Sequence, residues 1–277
     1  MTRSPVHRLG ARHGLTLLEL LAVLMILAIT TTIAVVSVQG VQDQSRYDAT
    51  KRTLTAVEEA IFGQQDQRQP DGTPLLSGFV TDVGRGPKLH GDVPETQLAE
   101  LYDASLWSAF PFGLRPGPAG YEDMRLPCGY RGPYLDLGVG ASELLDGWGN
   151  AFELHPGTDG SLLESLTWNA VDPYTEDLFL DAGRGLVSVV GTVTNDGAAP
   201  ASATVVLLHP DPEVSTTTLA VATDLNSQEP GAFRFDNVPI GLRAIRAVID
   251  GHVVTRYVYV PRTGLALTLN YVPDTGG

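Results

Sequence analysis

The sequence predicts an α+β chain with a long N-terminal helix, a mixed αβ region and a C-terminal sandwich of seven short antiparallel strands. Three observations carry that prediction. After Glu19 no charged residue occurs until Asp43, and the stretch between them is mostly Leu, Ile, Val, Ala and Thr. Beyond it, apolar residues recur at helical spacing up to Pro70, Asp71 and Gly72, which stop a helix. From Leu186 onward, segments rich in Val, Leu, Thr and Tyr alternate with turns built from Asn, Asp, Gly and Pro. The expected organisation is a basic leader over 1–14, a helix over 15–69, a head region over 70–184 and a β domain over 185–277.

The first 14 residues, MTRSPVHRLGARHG, hold Arg3, Arg8 and Arg12 and no acid. A secretory signal carries its apolar region before the cleavage site. Here the apolar region follows Gly14, so a cut after Gly14 would leave it on the mature chain. Hydrocarbon excludes charge, so a run of more than 20 uncharged, mostly apolar residues reads as a membrane-spanning helix. Cationic leaders stay on the cytoplasmic side, which puts the C-terminal bulk outside the cytoplasm. A carboxylate inside an apolar span costs on the order of 2–3 kcal/mol on insertion scales, so Glu19 is a functional candidate.

The leader, Gly14 at the cut, an apolar Leu15 after it and an acid at the fifth mature position together resemble the N-termini of type IV prepilins and type II secretion pseudopilins. The resemblance implies cleavage after Gly14 by a prepilin peptidase and N-methylation of Leu15. It implies that Glu19 meets the amino terminus of a neighbouring subunit in a filament, a contact that partners the carboxylate and specifies register. It also implies residence in the inner-membrane lipid before assembly. Many relatives carry a proline about 22 residues into the mature chain; here that position is Val36.

Past the span, Tyr47, Leu54, Val57 and Ile61 fall on one helix face, with Asp48, Lys51, Arg52, Glu58 and Glu59 around them. That half of the helix should pack on a globular domain. In the 70–184 region the segment LLDGWGNAFEL (144–154) is the clearest local signature. It is similar to a turn-to-strand segment of major pseudopilins, with Gly147 and Ala151 where those relatives have proline. The residues alone predict a tight turn at Asp146–Asn150 with Trp148 in the core. In the same relatives a following loop binds calcium. Asn169, Asp172, Glu176, Asp177 and Asp181 offer oxygens of the kind a hard cation takes, without EF-hand spacing, so a solvated acidic loop stands beside the calcium reading.

Seven strands are expected at 186–194, 203–209, 217–223, 232–236, 242–250, 252–260 and 264–272, a spacing that suggests an antiparallel sandwich. The order of VVGTVTNDGAAPASATVVL and GAFRFDNVPIGLRAIRAVIDGH resembles the carboxypeptidase-regulatory, transthyretin-like domain, a non-catalytic module. No zinc-ligand spacing, nucleophile elbow or phosphate loop is present, so no enzymatic activity is expected. Net charge is −14; removing the three leader arginines leaves 15 basic and 32 acidic residues, or −17. That argues against a passive electrostatic grip on nucleic acid or anionic lipid. Cys128 is the only cysteine, so no internal disulfide can form, and burial is its expected fate. The functional expectation is a filament subunit that displays its β domain. The alternative is a tethered binding module for a secreted protein, a glycan or a surface.

Overall fold

The computed structural model describes residues 16–64, 77–88, 98–137, 144–150, 185–223 and 231–273, with the backbone of three short strands between 153 and 178. Contacts divide the chain into two compact units, Met1–Asp48 and Ala49–Gly277.

The first unit carries most of helix α1, which runs from Leu17 to Phe62. It is long and apolar enough to cross a membrane. The uncharged stretch Leu20–Gln42 would rise about 35 Å at 1.5 Å per residue, against a hydrocarbon core of about 30 Å. Its large side chains are exposed, from Leu17 at 82% to Val35 at 49%. The polar interruption at Thr30, Thr31 and Thr32 is satisfied within the helix. Their hydroxyls donate to the carbonyls of Ile26 or Leu27, of Leu27 and of Ala28 at 2.7–3.0 Å. Such internal pairing is what lets hydroxyls sit at membrane depth.

The second unit begins on the same helix, where Leu54, Val57, Ala60 and Ile61 are buried. Leu54, Val57 and Ile61 belong to the predicted apolar face; Tyr47, the first residue predicted on that face, lies in the first unit and is half-buried. The helix ends earlier than the expected residue 69. Gly63, at φ 80°, turns the chain in the left-handed region, and its N–H closes on the Glu59 carbonyl at 2.7 Å. A glycine at this position ends a helix as firmly as a proline further on. α1 has no basic residue in its last turn. Arg262, far away in sequence, donates to the Gly63 carbonyl at 3.0 Å, lies 3.9 Å from Glu58 and stacks over Phe62.

Helices α2 (Phe79–Val83) and α3 (Ala99–Tyr102), a 3-10 turn (Ala104–Trp107) and the hairpin β1 (Gly113–Pro116) and β2 (Arg125–Cys128) form the head. Their core is an aromatic cluster: Trp107 stacks on Tyr130 at 5.5 Å, and Phe79 and Tyr134 meet the group edge-on. Arg85 is bidentate to the buried Glu100 at 2.7 and 2.9 Å. Cys128 is fully buried, as expected, and burial pushes its thiol up to about 11. Short strands β3 (Glu153–Pro156), β4 (Leu163–Thr167) and β5 (Asp177–Leu178) form a further antiparallel sheet.

Seven strands follow: β6 (Leu186–Asn195), β7 (Ala203–Asp211), β8 (Thr216–Val221), β9 (Ala232–Pro239), β10 (Gly241–Ile249), β11 (His252–Val260) and β12 (Leu265–Tyr271). One sheet orders β11-β10-β7-β8 and is antiparallel throughout. The other orders β12-β6-β9, and β12 runs parallel to β6. The all-antiparallel expectation is therefore corrected at this pair. Tight turns predict only that sequential neighbours run antiparallel, and β6 and β12 are not sequential neighbours. Val189, Val193, Val205, Leu207, Ile245, Ala247 and Leu269 from both sheets meet in one core.

Val206, Leu208 and Ala244 are buried too, although they lie outside that core. Successive strand residues face opposite ways, so these point to the other side of the sheet, where α2 and β2 lie against β7 and β10. The four-stranded sheet is thus covered on its second face at β7 and β10. A buried arginine fastens the junction. Arg243, 1% exposed, donates to the carbonyls of Pro239, Ile240, Leu242 and Thr81 at 2.5–3.4 Å. Burial lowers its guanidinium to about 9, with Cys128, Asp82 and Tyr259 acting the other way.

Candidate functional site

Among the described residues, polar groups gather at the start of α1 and around a cavity in the head.

At the helix start, Glu19 and Thr16 bond each other reciprocally. The Glu19 N–H donates to Thr16 Oγ1 at 3.2 Å, and the Thr16 N–H donates to Glu19 Oε2 at 3.0 Å. The Thr16 hydroxyl also reaches Oε2 at 3.2 Å. With helical geometry beginning at Leu17, Thr16 is the N-cap and Glu19 the third helical residue. This is a capping box, which satisfies two of the four free N–H groups at a helix start. The T-x-x-E spacing was legible in the sequence, and the functional reading of Glu19 passed over it. The carboxylate therefore has a local partner and sits at the favourable end of the helix dipole. Gly14 and Leu15 lie outside the described residues.

The cavity, about 510 Å³, lies between the C-terminal turns of α1 and the segment Arg131–Asp136. Ala56 and Ala60 form one wall and Pro133 and Leu135 another, with Glu59, Gln64 and Asp136 among the polar lining. Asp82, 3% exposed, also lines it. Arg131 donates to Asp82 Oδ1 and the Tyr134 hydroxyl to Oδ2, each at 3.0 Å. Burial raises the Asp82 carboxyl to about 6, against the lowering effects of Arg131, the Tyr134 hydroxyl and Arg243. Burial and the facing Asp82 charge push the Tyr134 hydroxyl up. A buried acid with a displaced pKa in a concave place is a common mark of a binding site. Three separate segments build the cavity, so spacing in the sequence did not reveal it.

The DGWGN turn differs from expectation in which residue it buries. Asp146 is buried, and Trp148 is only half-buried. Asp146 Oδ1 accepts from the N–H groups of Trp148 and Asn150 at 2.9 and 2.7 Å, and Gly149 holds φ 86°. The Gly147 N–H donates to Thr50 Oγ1 at 2.8 Å, which docks the turn on α1. The aspartate builds the turn around its own carboxylate, and size alone gave the indole its predicted place. Of the suggested calcium ligands, Asn169, Asp172, Glu176 and Asp181 lie outside the described residues, and Asp177 is described only as backbone in β5. Among the described residues no cluster of three metal-ligating side chains occurs.

No family model matches this chain, and no curated protein matches it. Among solved structures, one match is a provisionally assigned carbohydrate-binding protein from Pseudomonas aeruginosa. It is 17% identical, with a TM-score of 0.22, over 32% of this chain and 90% of that one. At that similarity the likeness is too slight to define the fold, and the binding assigned to that protein stays with it.

Proposed function

We propose that this chain is a pilin-like structural subunit that a prepilin peptidase cuts after Gly14 and methylates at Leu15, and that it assembles through α1 into a type II secretion pseudopilus or a type IV pilus-like filament. The observation that carries the reading is the apolar half of α1, exposed along its length and free of charge from Leu20 to Gln42. Such a surface requires lipid or other helices around it. The protein then sits in the inner membrane by one span, with the rest outside the cytoplasm. In this reading the C-terminal strands form a seven-stranded sandwich on a pilin-like head, and the chain is not an enzyme.

The capping box refines the role of Glu19. A neighbour's amino terminus would meet a carboxylate already oriented by Thr16, and Glu19 would serve the helix start and the contact together. The burial of Val206, Leu208 and Ala244 beneath the head supports a β domain that is part of the subunit body. A detachable binding module would face solvent there.

The test is intact mass and N-terminal sequencing of membrane-extracted protein, with and without a prepilin peptidase. A chain starting at Leu15 and heavier by one methyl group upholds the reading. A chain that still starts at Met1 when the peptidase is present overturns it.

A further inference from the structure

The cavity between α1 and Arg131–Asp136 has the size of an organic-ligand site: about 510 Å³, where such sites run from roughly 300 to 1,000 Å³. Its charges are unequal. Among the described lining residues, Glu59, Asp82 and Asp136 stand against one cation, Arg131. Arg131 and Asp82 pair with each other at 3.0 Å, so Glu59 and Asp136 set the sign and the cavity is negative. Its most buried charged group is an acceptor short of donors. An ionised carboxylate has about four acceptor positions. Asp82, 3% exposed, receives one donor from Arg131 and one from the Tyr134 hydroxyl, and no other among the described residues. A buried carboxylate left short of donors is costly, and the cavity it lines has room for another donor. Glu59 repeats the pattern nearer the solvent: Gln64 donates to Oε2 at 3.1 Å, and among the described residues nothing donates to Oε1. The remaining walls, Ala56, Ala60, Pro133 and Leu135, are apolar.

We infer that this cavity binds an alkylammonium or alkylguanidinium group, carried by a lysine or arginine side chain of a partner protein or by a free polyamine. Such a head group brings several N–H donors on one cation, which is what Asp82 and Glu59 lack. Its aliphatic stem suits the four apolar wall residues, since long cationic side chains lay their stems on apolar surface and aim the charge at polar groups. A metal ion does not suit the same acids. Among the described residues no three metal-ligating side chains converge, so the carboxylates surround a space wider than one ion. The charge balance opposes an anion. Arg131 leaves the space open to a cation, because Asp82 holds one of its N–H groups and its guanidinium lies 4.2 Å from the Phe112 ring centroid. The long-range field acts in the same direction: a chain at net −14 draws a basic partner and repels an acidic one. The site stands independently of the filament reading.

Calorimetric titration of the full chain in an uncharged detergent, at neutral pH and low salt, tests it. The probes are cadaverine, the capped tripeptide Gly-Lys-Gly, and the same peptide with uncharged norleucine in place of lysine. A cationic probe should bind, and the norleucine peptide should not. Tighter binding of the lysine peptide assigns the site to a partner's side chain, and tighter binding of cadaverine assigns it to a free polyamine. Ala56 is exposed on α1 and lines the cavity, so Ala56→Leu puts bulk into the space without disturbing the core and should weaken binding at least tenfold. Thr55→Leu, exposed beside it but outside the lining, should leave binding unchanged. Glu59→Gln should weaken binding about two- to fivefold, as expected for losing one exposed ion pair. Equal binding of the lysine and norleucine peptides, binding that neither Ala56→Leu nor Glu59→Gln weakens, or no binding of either cationic probe at millimolar concentration overturns the inference.

Discussion

Asp82 should make the stability of this protein fall as pH rises from 4 to 7. The carboxyl is 3% exposed and titrates in the folded chain near 6, against an ordinary 3.8. The folded state therefore binds more protons than the unfolded state between those values. The stability this provides is fully present below pH 3.8 and is lost as pH climbs through 6. Two units correspond to about 3 kcal/mol. For a unit of some 230 residues that is on the order of 6–12 °C in Tm. Asp82→Asn removes the titration and keeps an acceptor for the Tyr134 hydroxyl. Whatever constant cost the substitution brings through Arg131, the Tm difference between variant and wild type should shift by that amount in favour of the variant across pH 4–7. The assay is thermal unfolding of the detergent-solubilised full chain at half-unit pH steps. A difference curve flat across that range would refute the reasoning, because Asp82 would then ionise as an ordinary surface carboxylate.

Replacing Arg243 with Met should destabilise the second unit by about 3–5 kcal/mol, since three buried carbonyls and one part-buried carbonyl lose this donor; limited proteolysis and Tm would read the loss. Gly241→Ala should cost at least about 1–3 kcal/mol, because φ is 120° and the added Cβ would lie 2.6 Å from Thr81 Cγ2; a Tm equal to wild type would show that the α2–β10 junction relaxes freely. Arg262→Ala should fray the last turn of α1 by about 1 kcal/mol, seen as faster amide exchange of Gly63 with the β strands unaffected. Thr16→Val should loosen the first turn of α1 while leaving membrane insertion intact, whereas Glu19→Ala should abolish assembly as well; normal assembly of the Glu19 variant would remove its proposed role.

How much could be read in advance depended on whether the cause was local. The apolar span is a property of composition, and the packed face at Leu54, Val57 and Ile61 follows from the 3.6-residue period. Strand positions in 186–271 followed from β-branched and aromatic residues between turn formers. The capping box at Thr16–Glu19 was equally local and was missed because the acid drew a functional reading first. β7 held an unread signal. Val205, Val206, Leu207 and Leu208 form a continuous apolar run, which marks a strand buried on both faces.

By itself, then, the sequence determined a charge-free helix, an amphipathic continuation and seven strand segments, because hydrophobic period, turn chemistry and charge exclusion act over a few residues. Tertiary structure alone decided that β12 lies parallel to β6, that Arg243 and Arg262 reach back to α2 and α1, and that Asp82 is buried beside Arg131 and Tyr134. Those contacts join residues from about 50 to about 200 positions apart. Their energies arise from burial and from carbonyls that need donors, and neither exists until the distant segments meet.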